Sequence, residues 1–159
     1  MRKSMATALS AIGVAAWLTA TVTVAAPPRN FRTHLSGDEE TPAVSTLAQG
    51  QAEFQLSGDG LTLSYKLIVA NIENVRAAHI HTAPAGTAGP VVVGLYLGPT
   101  LPGRTDGVLA EGVITASNLT GPLAGHPLSD LIAIIDAGGA YVNVHTDQHP
   151  SGEIRGQID

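Results

Sequence analysis

Gln51-Ala52-Glu53-Phe54-Gln55-Leu56 alternates polar and apolar side chains, and Leu61-Thr62-Leu63-Ser64-Tyr65-Lys66-Leu67 resumes the same period after Ser57-Gly58-Asp59-Gly60. A period of two belongs to a half-buried strand, because successive side chains leave opposite faces of the pleat. Two such runs across a glycine-rich turn predict a β-hairpin. The flanking sequence keeps that character. Phe31-Arg32-Thr33-His34-Leu35 alternates before the hairpin, and Glu153-Ile154-Arg155-Gly156-Gln157-Ile158 alternates at the far end.

Further strands are expected at Val75–Thr82, at the apolar run Val91–Leu97, at Val108–Thr115 and at Tyr141–Thr146. The continuous apolar run reads as a strand buried on both sides. Residues 82–90 and 98–107 read as loops of small residues, glycine and proline. Pro127 to Ala137 is the single helical candidate. Leu128, Leu131, Ile132 and Ile135 fall on one helical face, Pro127 suits its first turn, and Gly138-Gly139 suits its end. The sum is an all-β chain: an antiparallel β-sandwich or small barrel of about seven to eight strands with one short helix.

Composition agrees. The 159 residues are 44% apolar and only 13% charged, with 18 glycines and 10 prolines, which suits short strands and turns more than a helical bundle. The formal net charge of -5 argues against a nucleic-acid partner, which would need a basic face. Arg2 and Lys3, the small apolar run Met5–Leu18, and Val22-Thr23-Val24-Ala25-Ala26 before Pro27 follow the plan of a secretory signal peptide. Cleavage is expected after Ala25, giving a signal over 1–25 and one domain over 26–159, exported to a periplasm or secreted. Thr19, Thr21 and Thr23 interrupt the apolar run and make it short for a membrane span, and no later segment offers one. No membrane span is therefore expected after cleavage.

The chain has no cysteine. Disulfides, blue-copper, zinc–thiolate and iron–sulfur sites are excluded, and any metal must be held by histidine, carboxylate, carbonyl or water.

The chemistry concentrates in Arg76-Ala77-Ala78-His79-Ile80-His81-Thr82 and Tyr141-Val142-Asn143-Val144-His145-Thr146. In a strand, His79 and His81 leave the same face roughly 7 Å apart. With Val75 and Ala77 they form one face, and Arg76, Ala78 and Ile80 form the other. Ile80, Val142 and Val144 mark the core side, so the histidines are expected to point outward, under the 82–90 or the 146–152 loop. His145, if its strand lies alongside, completes a three-nitrogen set for copper or zinc. A hydrogen-bonding role in pinning loops fits the same residues. His149, four residues beyond His145, is a candidate fourth ligand, and its plainer reading is an exposed turn residue.

A ligating histidine usually donates its other ring N–H to a carboxylate or carbonyl, for which Asp147 and Glu153 are the near candidates. Asn143 shares the His145 face and could bond loop carbonyls. Arg155 reads as part of a half-exposed pair with Glu153, and Asp38-Glu39-Glu40 as a solvated acidic run. His34 and His126 sit in weak contexts. No Gly-x-Ser-x-Gly elbow, phosphate-binding glycine loop or catalytic carboxylate pair can be nominated.

Leu35-Ser36-Gly37 with its acidic stretch and Pro42, Ala78-His79-Ile80-His81, Gly89-Pro90-Val91-Val92, Tyr141–Thr146, and Pro150-Ser151-Gly152-Glu153-Ile154-Arg155-Gly156-Gln157 together resemble the CHRD domain. That domain is named from chordin and is common in exported bacterial proteins. The resemblance covers about residues 31–158. It departs at Thr82, where the family pattern has glycine, and at Pro42, where a pair of prolines is usual. It implies an antiparallel sandwich-like domain outside the cytoplasm and carries no activity with it. Growth-factor binding, the role of chordin itself, transfers only by analogy.

The leading expectation is a non-enzymatic exported binding domain with a histidine-lined site for Cu²⁺ or Zn²⁺, or for an envelope or extracellular protein. The alternatives are a copper-dependent redox enzyme of superoxide-dismutase-like type and a purely structural or adhesive domain.

Overall fold

The computed structural model describes residues 27–159. The expected signal peptide lies outside the described residues. Seven strands form one antiparallel network: β1 (Arg29–Ser36), β2 (Gln49–Leu56), β3 (Leu63–Thr82), β4 (Val91–Tyr96), β5 (Leu101–Ile114), β6 (Ala140–Thr146) and β7 (Ile154–Gln157). Among the described residues a single α-helix, α1 (Leu128–Asp136), precedes β6. No helix among the described residues is long and apolar enough to cross a membrane.

The hairpin is present as read: β2 and the start of β3 pair from Leu56↔Leu63 to Gln49↔Ala70. The arm that follows the turn does not end, however. It runs for 20 residues and takes in the histidine segment, so two expected strands are one. Its first half has β2 on one edge and β5 on the other. Its second half has β6 and β4. Val75 bridges β5 and β6 at once, through Leu101 and Thr146, which puts β5 and β6 on opposite edges.

Two half-sheets therefore share β3: β1-β2-β3-β5 and β7-β6-β3-β4. They close on each other where β1 meets β7, through the Ser36↔Arg155 pair and the reciprocal backbone bonds of Arg32 and Asp159 at 2.8 and 3.0 Å. The result is barrel-like, with every long strand covered on its core side.

A strand that serves both halves must change face between them. Leu63, Leu67 and Val69 enter the core, followed by Ile72, then Val75, then Ala78 and Ile80. Each step of three inverts the phase. The register shifts between Val69 and Ile72, between Glu73 and Val75, and between Val75 and Ala77. Asn71 and Asn74 absorb the first two shifts with left-handed backbone, φ 57° and 53°. Asparagine tolerates that region better than other residues with a Cβ. Unbroken alternation from Leu67 would have driven His79 and His81 into the core. Val75 is fully buried and not on the histidine face as the uniform period implied, because the bulge at Arg76 intervenes.

The strand expected from Val108 begins earlier, at Leu101. Its early part carries Gly103 and Gly107 at φ 75° and 108°, bends that read as loop in the sequence. The helix occupies Leu128–Asp136. Leu128, Leu131, Ile132 and Ile135 face the core, and Gly138 at φ 67° ends the turn as expected.

Replacing Asn71 or Asn74 by alanine should destabilise the domain by about 1–2 kcal/mol each, from the left-handed backbone alone. Glycine at the same positions should recover much of that loss. Urea unfolding of the four variants checks this. Equal losses for alanine and glycine would assign the effect to the asparagine side chains instead.

Candidate metal centre

The second half-sheet presents its outer face as registered rows. His79 of β3 lies opposite Asn143 of β6, which lies opposite Arg155 of β7. His81 lies opposite Tyr141, which lies opposite Gln157. His145 lies opposite Ala77, the next position on the same face. The core side of these strands is Ala78, Ile80, Val142 and Val144, all fully buried. Apolar burial on one face thus fixes the three imidazoles on the other.

Strand order answers what spacing left open: β6 is the neighbour of β3, and His145 meets the pair. Ring centroids are 5.0 Å apart for His79 and His145, 5.7 Å for His79 and His81, and 5.8 Å for His81 and His145. One ring nitrogen from each residue lies within 4.8 Å of the other two.

Both anticipated loops cover the cluster. The 83–90 loop turns back so that the Gly89 carbonyl accepts the Nδ1 proton of His81 at 2.9 Å. The Pro150 carbonyl accepts that of His145 at 3.1 Å. A carbonyl only accepts, so both rings carry their proton on Nδ1 and turn the Nε2 lone pair inward. Those two Nε2 atoms, and Nδ1 of His79, are buried without any hydrogen-bond partner. A buried polar atom left unpaired is unfavourable by about 1–3 kcal/mol. Three unpartnered ring nitrogens in a cluster whose rings can each bring one nitrogen within 4.8 Å of the others make a donor set for a divalent ion with imidazole preference.

The electrostatics favour neutral rings. Burial, then the positive charge of neighbouring imidazoles, pushes the His145 pKa down to about 4. Burial also lowers His79 and His81 below the ordinary histidine value. Neutral imidazole is the ligating form.

The loop over the site is held by Arg155, Tyr141 and Gln157. Arg155 is not half-exposed but only 2% accessible. It donates to the carbonyls of Thr87 at 2.8 Å and Pro84 at 3.1 Å, and its guanidinium lies 3.5 Å from the Tyr141 ring centroid. Tyr141 stacks on His81 at 4.9 Å, and its hydroxyl accepts the Gly89 N–H at 3.1 Å. Gln157 donates to the Ala83 carbonyl at 2.9 Å. At Gly89 any Cβ would sit 2.0 Å from the Thr82 carbonyl oxygen, so only glycine lets the loop close this tightly.

The other nominated residues are placed as follows. Asn143 is 3% exposed and donates to Glu40 Oε1 at 2.8 Å, so its amide bonds a carboxylate and not a loop carbonyl. Asp147 pairs with Arg76 at 3.5 Å on the surface. Glu153 accepts the hydroxyls of Thr46 and Thr146, both at 2.7 Å. The Nδ1–H groups of His81 and His145 therefore go to main-chain carbonyls and to neither of these carboxylates. His149 lines a separate small pocket with Thr46, Asn71 and Glu73, and it is not in the three-histidine group.

Glu40 is the residue that sequence reasoning missed. Read as part of a solvated acidic run, it is half-buried against Asn143, and burial pushes its pKa up to about 7.

These shifts give opposite pH dependences. Below pH 6.5 the unfolded chain protonates His145 while the folded domain resists until about 4, so stability falls as pH drops through that window. Between pH 4.5 and about 7 the folded domain holds a proton on Glu40 that the unfolded chain has released, so that contribution falls as pH rises. Urea midpoints of the metal-free protein from pH 4 to 8 should show His145→Gln losing less stability than wild type on the acid side. Glu40→Gln should gain on wild type toward pH 7. Parallel curves for all three proteins would contradict both assignments.

No curated protein and no solved structure matches the chain significantly. The family model for the CHRD domain matches residues 31–158, from within β1 to just past β7. The ordered motifs and the barrel that they build thus have one source: the chain belongs to the CHRD domain family.

Proposed function

We propose that the chain is an exported, non-enzymatic CHRD-domain protein that binds one copper or zinc ion through His79, His81 and His145. The observation that carries this reading is the inward set of three buried imidazole nitrogens with no partner among the described residues. A purely structural role for the histidines would leave those atoms hydrogen-bonded. Here only the outer nitrogens of His81 and His145 are, to the carbonyls that fix their tautomers.

When bound, either metal supplies a Lewis-acidic centre, and copper adds a redox couple. Three imidazoles suit both, and intrinsic affinity favours copper. The chain's own residues orient the rings, exclude bulk water through the 83–90 and 147–152 loops, and keep the imidazoles neutral. Arg155 acts through the loop. By fixing the carbonyls of Pro84 and Thr87 and the Tyr141 ring, it holds the Gly89 carbonyl where His81 needs it. Export rests on the signal-like N-terminus, and a metal-handling role at the envelope follows from it. A protein of the envelope or extracellular space is the expected recipient or holder.

Calorimetric titration of Cu²⁺ and Zn²⁺ into the protein should give submicromolar one-to-one binding. The His79→Ala/His81→Ala variant should lose it. Arg155→Ala, with every ligand intact, should bind roughly 10- to 100-fold more weakly, the usual effect of removing support around metal-bound histidine. Absent binding, or binding unchanged in the double variant, would refute the site.

A further inference from the structure

One polar atom at this face remains without a role. The amide of Asn143 is 3% exposed, and its nitrogen donates to Glu40 Oε1 at 2.8 Å. Its oxygen, Oδ1, is buried with no hydrogen-bond partner. Asn143 is the register partner of His79, so the two side chains leave adjacent strands side by side on the same face. It also lies two residues from His145 along β6, again on that face.

A buried acceptor beside three ligating imidazoles calls for a donor that the chain does not provide. The described residues place no N–H or O–H within bonding distance of it. The space beside it is shaped by Gly152, at φ 135°. A Cβ there would lie 2.5 Å from Asn143 Nδ2, 2.6 Å from Oδ1 and 2.5 Å from Glu40 Oε1. Any larger residue would crowd the pair.

Three protein nitrogens leave a copper or zinc ion with at least one coordination position for a small exogenous ligand. Water in that position is a strong hydrogen-bond donor and has no use for a fourth imidazole. It needs acceptors. Asn143 Oδ1 is one, and the amide is held from behind by Glu40, which comes from the β1–β2 connection on the far side of β7.

Resting on the three-histidine reading, we infer that Glu40 and Asn143 form the acceptor wall of the site, holding a water molecule on the metal's open position and disfavouring small anions there. Asn143 touches the exogenous ligand, and Glu40 positions Asn143 and, once its carboxyl is ionised, supplies negative charge behind it. The site is thereby suited to a hydrated cation and not to an anionic ligand.

The test loads wild type, Glu40→Gln and Asn143→Ala with Cu²⁺ at about pH 8.5, where the Glu40 carboxyl is ionised, using azide as the anionic probe. Electron paramagnetic resonance counts the coordinated nitrogens and reads line broadening by ¹⁷O-labelled water. Glu40→Gln keeps an acceptor for the Asn143 amide, so it carries the test even if Asn143→Ala fails to fold. Both variants should retain three imidazole nitrogens. Azide should bind about tenfold more tightly to Glu40→Gln, the scale of one charge-assisted interaction. Water broadening should fall in Asn143→Ala.

Azide affinity within twofold of wild type in Glu40→Gln, with three nitrogens retained, would overturn the inference. So would stronger ¹⁷O broadening in Asn143→Ala, because that would mean that Asn143 Oδ1 itself holds the position that water then takes. A wild-type protein without a three-nitrogen signal would instead overturn the metal site on which the inference rests.

Discussion

Everything on the metal-binding face depends on how β3 changes phase. The strand is long enough to wall both half-sheets, and a uniform pleat would present the same residues to the core throughout. It would then bury His79 and His81 among Leu67, Val69 and Val75. The register shifts around Asn71, Asn74 and Arg76 invert the alternation three times, so that Ala78 and Ile80 face inward and the histidines outward. Left-handed backbone at a non-glycine residue is unfavourable by about 1–2 kcal/mol. Its persistence at two asparagines in one strand marks positions that the surrounding sheet over-determines.

Once the histidines are outside the barrel, they need a second cover. The 83–90 and 147–152 loops provide it with main-chain carbonyls and small residues, not with a second apolar layer. Hydrogen bonds hold these loops down. Arg155 alone fixes two carbonyls of the first loop while stacking on Tyr141. A nearly inaccessible guanidinium is tolerable because its donors meet carbonyl oxygens and its face meets an aromatic ring, and its charge reaches Glu40, where it partly offsets the upward push of burial on that carboxyl. The outer layer is polar, dense and satisfied except at the three imidazoles and the Asn143 oxygen. That contrast separates the site from its scaffold.

Local periodicity made much of this legible in the sequence. The hairpin, the helix with its Pro127 start and Gly138 stop, and the outward direction of His79, His81 and His145 all follow from alternation and from which neighbours are apolar. Two strands merged into one because Asn71 and Asn74 look like turn residues when only the sequence is in view, whereas in the sheet they serve as bulges. The start of β5 was hidden by Pro102, Gly103 and Gly107, which bend the strand without ending it. Arg155 and Glu40 were misjudged for a different reason. Their burial comes from segments some 70 and 100 residues away, at Pro84 and Asn143, and no local pattern reports such a contact. His149 follows the same logic: four residues from His145 in sequence, it is turned elsewhere by the bend between them.

The most direct test of the central claim is X-ray absorption at the metal edge of the zinc-loaded and the copper-loaded protein. A first shell containing three imidazole nitrogens at about 2.0–2.1 Å, with the outer-ring scattering of histidine, is the predicted result. An oxygen-dominated shell, or one with a single imidazole, would mean that His79, His81 and His145 do not converge on the ion and that their unpaired nitrogens have another explanation.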